Sequence, residues 1–282
     1  MPGRFVPAGF PDQNPGRMAR KVLISFLGTN NYLDANYYYK DQQVQGVRFV
    51  QEALLRVFAW DWQAPDTAYI FLTEDAYRKN WVDNGQMGKD GPIAQQGLKS
   101  RLEALQAEGL AARVEPVFGI PEGLVEKDIW TIFEKVFAAL RTGDEVLVDI
   151  THGFRSIPML SLVLMNYSKF LKHISLEGIY YGAFETLGPK YKVQELPMEH
   201  RNAPIVDLTN FSVLQDWATA AHDFTTNGRV NYIQKLALEK AKPALKATKG
   251  QDPEAQRLRS LAQELAAMVA ELSTCRGYEL YR

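Results

Sequence analysis

The stretch Asp149-Ile150-Thr151-His152-Gly153-Phe154-Arg155-Ser156-Ile157-Pro158 gathers two hydroxyls, an imidazole, a glycine and a guanidinium within a few positions. Those groups suit an anion. Gly153 permits a sharp turn and lets the backbone approach a ligand closely. Ser156 can cap a helix whose first turn holds Pro158. Amides left open at a helix start, with Arg155 beside them, suit a phosphate. A proton-transfer role is also within reach, with His152 as acid or base and Arg155 and Ser156 stabilising charge. The plain alternative is a capped strand-to-helix turn without a ligand. Two further groups complete the candidates. Gly28-Thr29-Asn30-Asn31 is a glycine followed by three small polar residues, and Gly182-Ala183 closes a later apolar run.

Each of these groups must be held at the end of a strand. Lys21 to Leu27 reads as the first strand, leading into Gly28. Glu145 to Ile150 is a β-branched run opened by Thr142-Gly143-Asp144, and Leu160, Val163, Leu164, Tyr167 and Leu171 then recur at helical spacing. Ser175 to Tyr181 is a fifth strand that ends at Gly182. Between them, strands are predicted at Thr67 to Leu72 and Ala112 to Phe118. Helices are predicted at Val44 to Phe58, Gly97 to Glu108 and Glu126 to Leu140. Asp34 to Gln43 is either a hairpin or an exposed loop, and Asn80 to Gly91 is a loop. Strand and helix patterns that alternate argue an α/β fold, a parallel sheet with helices on both faces. In such sheets ligands bind beyond the carboxyl ends of the strands, near a switch in strand order. Past Phe184 the pattern breaks, with a possible short strand at Tyr191 to Leu196 and a boundary near Pro204. Helices at Leu208 to Tyr232, Ile233 to Ala247 and Glu254 to Leu272 then make a small all-α module over 205–282.

The totals narrow the class. With 282 residues, 46% hydrophobic and 23% charged, the chain has the composition of an ordinary globular protein. A formal net charge of −1 advertises no field for long nucleic acid, while a small anion in a local pocket stays compatible. The single cysteine, Cys275, excludes an intramolecular disulfide and a cysteine-based zinc cluster, which suits a reducing cytoplasm. No apolar run reaches the roughly 18 residues of a spanning helix. Residues 1–18 are rich in Pro and Gly and are expected to be a disordered extension rather than a signal peptide. The Gly-x-Gly-x-x-Gly and Gly-x-x-x-x-Gly-Lys-Ser/Thr fingerprints are both absent, which disfavours ordinary dinucleotide and triphosphate sites.

Gly28-Thr29-Asn30-Asn31-Tyr32 and Asp149-x-Thr151-His152-Gly153-x-Arg155-Ser156 resemble the two ligand loops of CRISPR-associated proteins with a CARF sensor domain. The resemblance covers roughly Lys21 to Thr209, and Val206-Asp207-Leu208-Thr209 resembles the entry to the effector half of CARF–HEPN members. It implies a sensor domain over 19–204 that forms a homodimer and binds cyclic oligoadenylate, tetra-adenylate favoured, with no cofactor; the scattered histidines, with no His-x-x-x-His or Glu-x-x-His pair, indicate no metal site. The ring is the second messenger of type III CRISPR complexes, and the helical module would relay its binding. By the same resemblance the ligand residues are Gly28, Thr29, Asn30, Asn31 and Thr151 to Ser156, and the fold class adds Gly182 and Ala183 as a third strand end at the same edge. Two alternatives remain. One is a metal-independent ring nuclease using His152, Arg155 and Ser156. The other is a DNA-binding regulator, to which the Lys240, Lys242, Lys246 and Lys249 cluster lends some support. HEPN ribonucleases carry an Arg followed about four to six residues later by His, and no arginine lies at that distance before any of the four histidines. The helical tail is therefore expected to be a truncated effector domain or a short natural form.

Overall fold

The computed structural model describes residues 19–151 and 157–273, so the expected extension over 1–18 and the loop residues 152–156 lie outside the described residues. The chain divides into two compact units between Asp207 and Leu208.

The first unit opens with β1 (Lys21–Leu27), β2 (Ala35–Tyr39), β3 (Gln42–Val47), α1 (Val50–Phe58) and β4 (Thr67–Thr73). A short helix, α2 (Glu74–Ala76), capped by the Thr73 hydroxyl, runs into a π-helical turn over Tyr77–Trp81. Two-residue strands β5 (Met87–Gly88) and β6 (Gly91–Pro92) form a small ribbon. Then α3 (Leu98–Glu108), β7 (Arg113–Ile120), α4 (Glu126–Ala139), β8 (Glu145–Asp149), α5 (Ile157–Lys172) and β9 (Ser175–Gly182) alternate. A 3-10 turn at Phe184–Leu187, α6 (Lys190–Glu195) and a second turn at Met198–His200 lead to β10 (Asn202–Asp207).

The main sheet runs in the order β3-β2-β10-β9-β8-β1-β4-β7. Its centre, from β9 through β8, β1 and β4 to β7, is parallel throughout. Side chains of β1 alternate between two cores, as a strand buried on both faces requires. Leu23 and Leu27 pack with Leu55 of α1 and Leu98, Leu102 and Leu105 of α3. Val22, Ile24 and Phe26 pack with Ile132 and Val136 of α4 and Leu164 and Met165 of α5. This is a Rossmann-like α/β architecture, followed by the helices of the second unit: α7 (Thr209–Asn227), α8 (Asn231–Ala247) and α9 (Pro253–Ser273). Gly228 ends α7 in the left-handed conformation (φ +67°), its amide closing on the Phe224 carbonyl at 2.8 Å.

Three expectations change. The helix predicted from Val44 starts at Val50 instead, because Val44 and Val47 belong to the β2–β3 hairpin and Gly46 adopts φ +64°. The Glu52 carboxylate fixes the start by accepting the amides of Arg48 (3.1 Å) and Phe49 (3.0 Å). Tyr191 to Leu196, read as a short strand, is mostly the helix α6. The division after Asp207 lies three residues beyond Pro204, near which the boundary is expected, because β10 pairs with β9 and β2. Finally, the apolar stripe of α5 splits. Leu164 is buried and Leu160 partly so, whereas Val163, Tyr167 and Leu171 are exposed together with Met159 and Phe170.

Candidate ligand site at the carboxyl ends of the strands

After the β2–β3 hairpin, which lies at the far edge, the chain places β4 and then β7 on one side of β1 and returns to place β8 on the other. The carboxyl ends of β1 and β8 therefore flank the switch in strand order where open α/β sheets bind ligands. The hairpin adds a third arm. β10 runs against β9, β2 runs with β10, and β3 runs against β2, so β3 again points the same way as β1. Arg48, just past β3, thus arrives at the same edge as the loops after β1, β8 and β9.

Two buried amides shape the β1 loop. The Asn80 side chain donates to the carbonyls of Gly28 and Asn30, both at 2.8 Å. Gln86 donates to the carbonyls of Thr29 (3.2 Å) and Asn30 (3.3 Å) and to Asn80 Oδ1 (2.9 Å). With these carbonyls engaged, the loop is held in one shape without a repetitive glycine motif. The two clamping residues come from a segment that sequence reading treats as a loop. Their signal, buried amides among polar neighbours, exists only in three dimensions.

The β8 loop is anchored by Asp149. Its Oδ1 accepts the Thr151 amide (2.9 Å), and its Oδ2 accepts the Ser25 hydroxyl (2.6 Å). Gln51 donates to Ser25 Oγ (3.0 Å) and to the Phe26 carbonyl (3.1 Å). Burial pushes the Asp149 carboxyl above its ordinary value, and the hydrogen bonds from Ser25 and Thr151 oppose that shift only in part. Thr151 Oγ1 accepts the Gly182 amide at 2.8 Å, which ties the β8 loop to the end of β9.

These loops enclose a cavity of about 420 Å3 lined by Asn30, Asn31, Tyr32, Arg48, Thr151 and Lys190, with Tyr181, Gly182, Phe184 and Glu185 on another wall. Among the sequence-predicted residues, Asn30, Asn31, Thr151 and Gly182 meet here. Gly28 and Thr29 support the loop through their carbonyls but do not line the cavity. Ala183 is buried and bonds through its amide to the Pro204 carbonyl (2.9 Å), so its contacts are structural. Gly182 reaches the wall, yet a Cβ there would meet Val50 Cγ2 at 2.4 Å, in the core. His152, Gly153, Phe154, Arg155 and Ser156 lie outside the described residues.

Sequence reading misses Arg48 and Lys190. Periodicity assigns Arg48 to the interior of a helix, and Lys190 sits beside a supposed strand. Partial burial, and then the charge of Arg48, lower the Lys190 pKa from its ordinary value. A larger groove of about 780 Å3 lies beside the hairpin, α1 and α3. Its charges are already paired, with Arg56 on Glu108 (2.5 Å) and Arg101 on Glu52 (3.3 Å). The smaller cavity is the better candidate because its cations form no ion pair among the described residues.

Comparison with known proteins agrees with this architecture. CRISPR-associated protein MJ1674 of Methanocaldococcus jannaschii is 32% identical over 120 residues, which cover 42% of this chain and 17% of that protein. Residues 22–185 match the CARF domain of the CRISPR system endoribonuclease Csx1. That match runs from the second residue of β1 past the end of β9 and takes in more than half of the chain, and the chain belongs to the family of the Csx1 CARF domain.

Proposed function

We propose that the sheet unit is a sensor of cyclic oligoadenylate in type III CRISPR signalling. In this reading it binds the ring across a homodimer, with tetra-adenylate favoured, and the helical unit relays the change. One observation carries the reading. Asn30 and Asn31 after β1 and Thr151 after β8, far apart in sequence, meet around one cavity that also holds two cations. Asparagine and threonine side chains suit adenine edges and ribose 2′-hydroxyls, and the cations suit phosphodiesters. A two-fold ring needs an isologous dimer in which each protomer supplies the same loops. The exposed apolar residues Met159, Val163 and Phe170 on α5 offer a surface for such a partner.

Titration with cyclic tri-, tetra- and hexa-adenylate, read by calorimetry, tests the reading. Saturable binding of one ring per dimer is expected, and no heat with any ring overturns it. Chromatography of the same mixtures checks turnover, the outcome that a ring nuclease requires.

A further inference from the structure

Two cations of the cavity form no ion pair among the described residues, and the charges of Asp34 and Glu52 act on Arg48 only from a distance. Arg48 is only 5% exposed, forms no ion pair there, and its Nε meets no acceptor. Its Nη2 reaches the neutral Oδ1 of Asn31 at 3.4 Å and its Nη1 the Gln96 carbonyl at 3.3 Å. Both distances are long for an N–H···O bond. Lys190, at the cavity mouth, donates from Nζ to the backbone carbonyl of the same Asn31. The nearby acids are occupied. Asp34 and Glu52 bind Arg101 at 3.2 and 3.3 Å, and Glu185 accepts the Tyr181 hydroxyl. One asparagine therefore presents both of its oxygens to two cations that come from distant parts of the chain.

A guanidinium taken out of water needs a counter-charge, and neutral oxygens serve it poorly. We propose that Arg48 and Lys190 form a phosphate seat, in which a phosphodiester of the bound nucleotide replaces the two Asn31 oxygens as their acceptor. This rests on the oligoadenylate reading of the cavity. It adds which residues carry the phosphate charge, and it makes Asn31 a stand-in that ligand binding releases. A phosphate oxygen wins the exchange because it carries the negative charge that an amide oxygen lacks, which turns each cation–amide hydrogen bond into a hydrogen-bonded ion pair. The freed Asn31 amide can then turn to a base edge or a 2′-hydroxyl.

The test is calorimetric titration with cyclic tetra-adenylate over a range of salt concentrations, on the wild-type chain and on Arg48→Met, Lys190→Met and Lys190→Arg, with melting curves for each. Loss of either charge is expected to weaken binding about tenfold or more. It should also flatten the fall of log affinity with log salt by roughly 0.7 for each phosphate that is no longer neutralised. Lys190→Arg should keep the wild-type salt slope. Because Lys190 stands at the mouth, its variants read the seat even where Arg48→Met unfolds. A wild-type chain that binds while the folded methionine variants keep its affinity and slope overturns the seat alone. A wild-type chain that binds no ring overturns the oligoadenylate reading and the seat with it.

Discussion

At the scale of single residues, the site is organised by a carboxylate that no ligand needs to touch. Asp149 is buried at the end of β8 with two donors, the Ser25 hydroxyl and the Thr151 amide. Its pKa is raised above 3.8 by desolvation. Just above that pH the folded chain keeps a proton that the unfolded chain has given up. Stability must therefore fall as pH rises through the window up to the folded value, then level off. Asp149→Asn removes this titration and should flatten that fall, as urea unfolding against pH would show. Parallel profiles for the two proteins would mean that the carboxyl titrates normally. Gly182 makes a second case. Its missing Cβ faces Val50 Cγ2 at 2.4 Å and Tyr37 Cε1 at 3.1 Å. Gly182→Ala should cost about 1–3 kcal/mol through overpacking against a stiff β-branched neighbour. A variant as stable as wild type in urea would show that the helix gives way there. Sequence shows that a glycine ends a strand, but not which side its absent side chain would occupy. Gly182 thus lines the cavity while the side its Cβ would take lies in the core, and Ala183 is buried beside it.

At the scale of elements, hydrophobic period locates the central strands well, because runs such as Lys21 to Leu27 are buried on both faces and carry no competing pattern. It fails where short segments fit two periods. Val44 and Val47 extend the helical stripe of Val50 and Leu54, yet Gly46 at positive φ and the Glu52 carboxylate decide the break. Tyr191 and Val193 alternate as a strand would, but they lie in a short helix at the cavity mouth. These two ambiguities hide Arg48 and Lys190. The loop after β1 has a similar dependence on a remote element, since the π-helical turn over Tyr77–Trp81 delivers Asn80 to the Gly28 and Asn30 carbonyls. Asn80→Ala would leave both carbonyls without that donor, at a cost of about 1–3 kcal/mol. If the loop's shape serves binding, ring affinity should fall as well. Urea unfolding and calorimetry on the same preparation separate the two effects. Full affinity in a destabilised Asn80→Ala chain would show that the clamp serves stability only.

At the scale of the whole molecule, the alternation of strands and helices makes the parallel sheet legible, but the order of its strands is not. Nothing local announces that β10 runs against β9, or that the β2–β3 hairpin adds to the edge beyond it. Those pairings are long-range, and they bring Arg48 to the ligand edge. The outer face of α5 is a whole-molecule feature too. Its sequence reads as an ordinary core stripe, yet Met159 is 77% and Phe170 78% exposed in the single chain, beside exposed Val163 and Trp130. Apolar groups gathered on one surface mark an interaction site, and in the proposed oligoadenylate reading a second copy would cover that surface and match the symmetry of the ring. The double variant Val163→Glu/Phe170→Glu should leave stability nearly unchanged, because both side chains already face water. In a dimer it would place like charges against an apolar surface, so light scattering should give the mass of one chain where the wild type gives two. Ring affinity should fall in step, since a separated protomer offers half of the ligand loops. A folded double variant that still scatters as a dimer would move the interface to another face, and a wild-type chain that stays monomeric with the ring bound would remove the shared site.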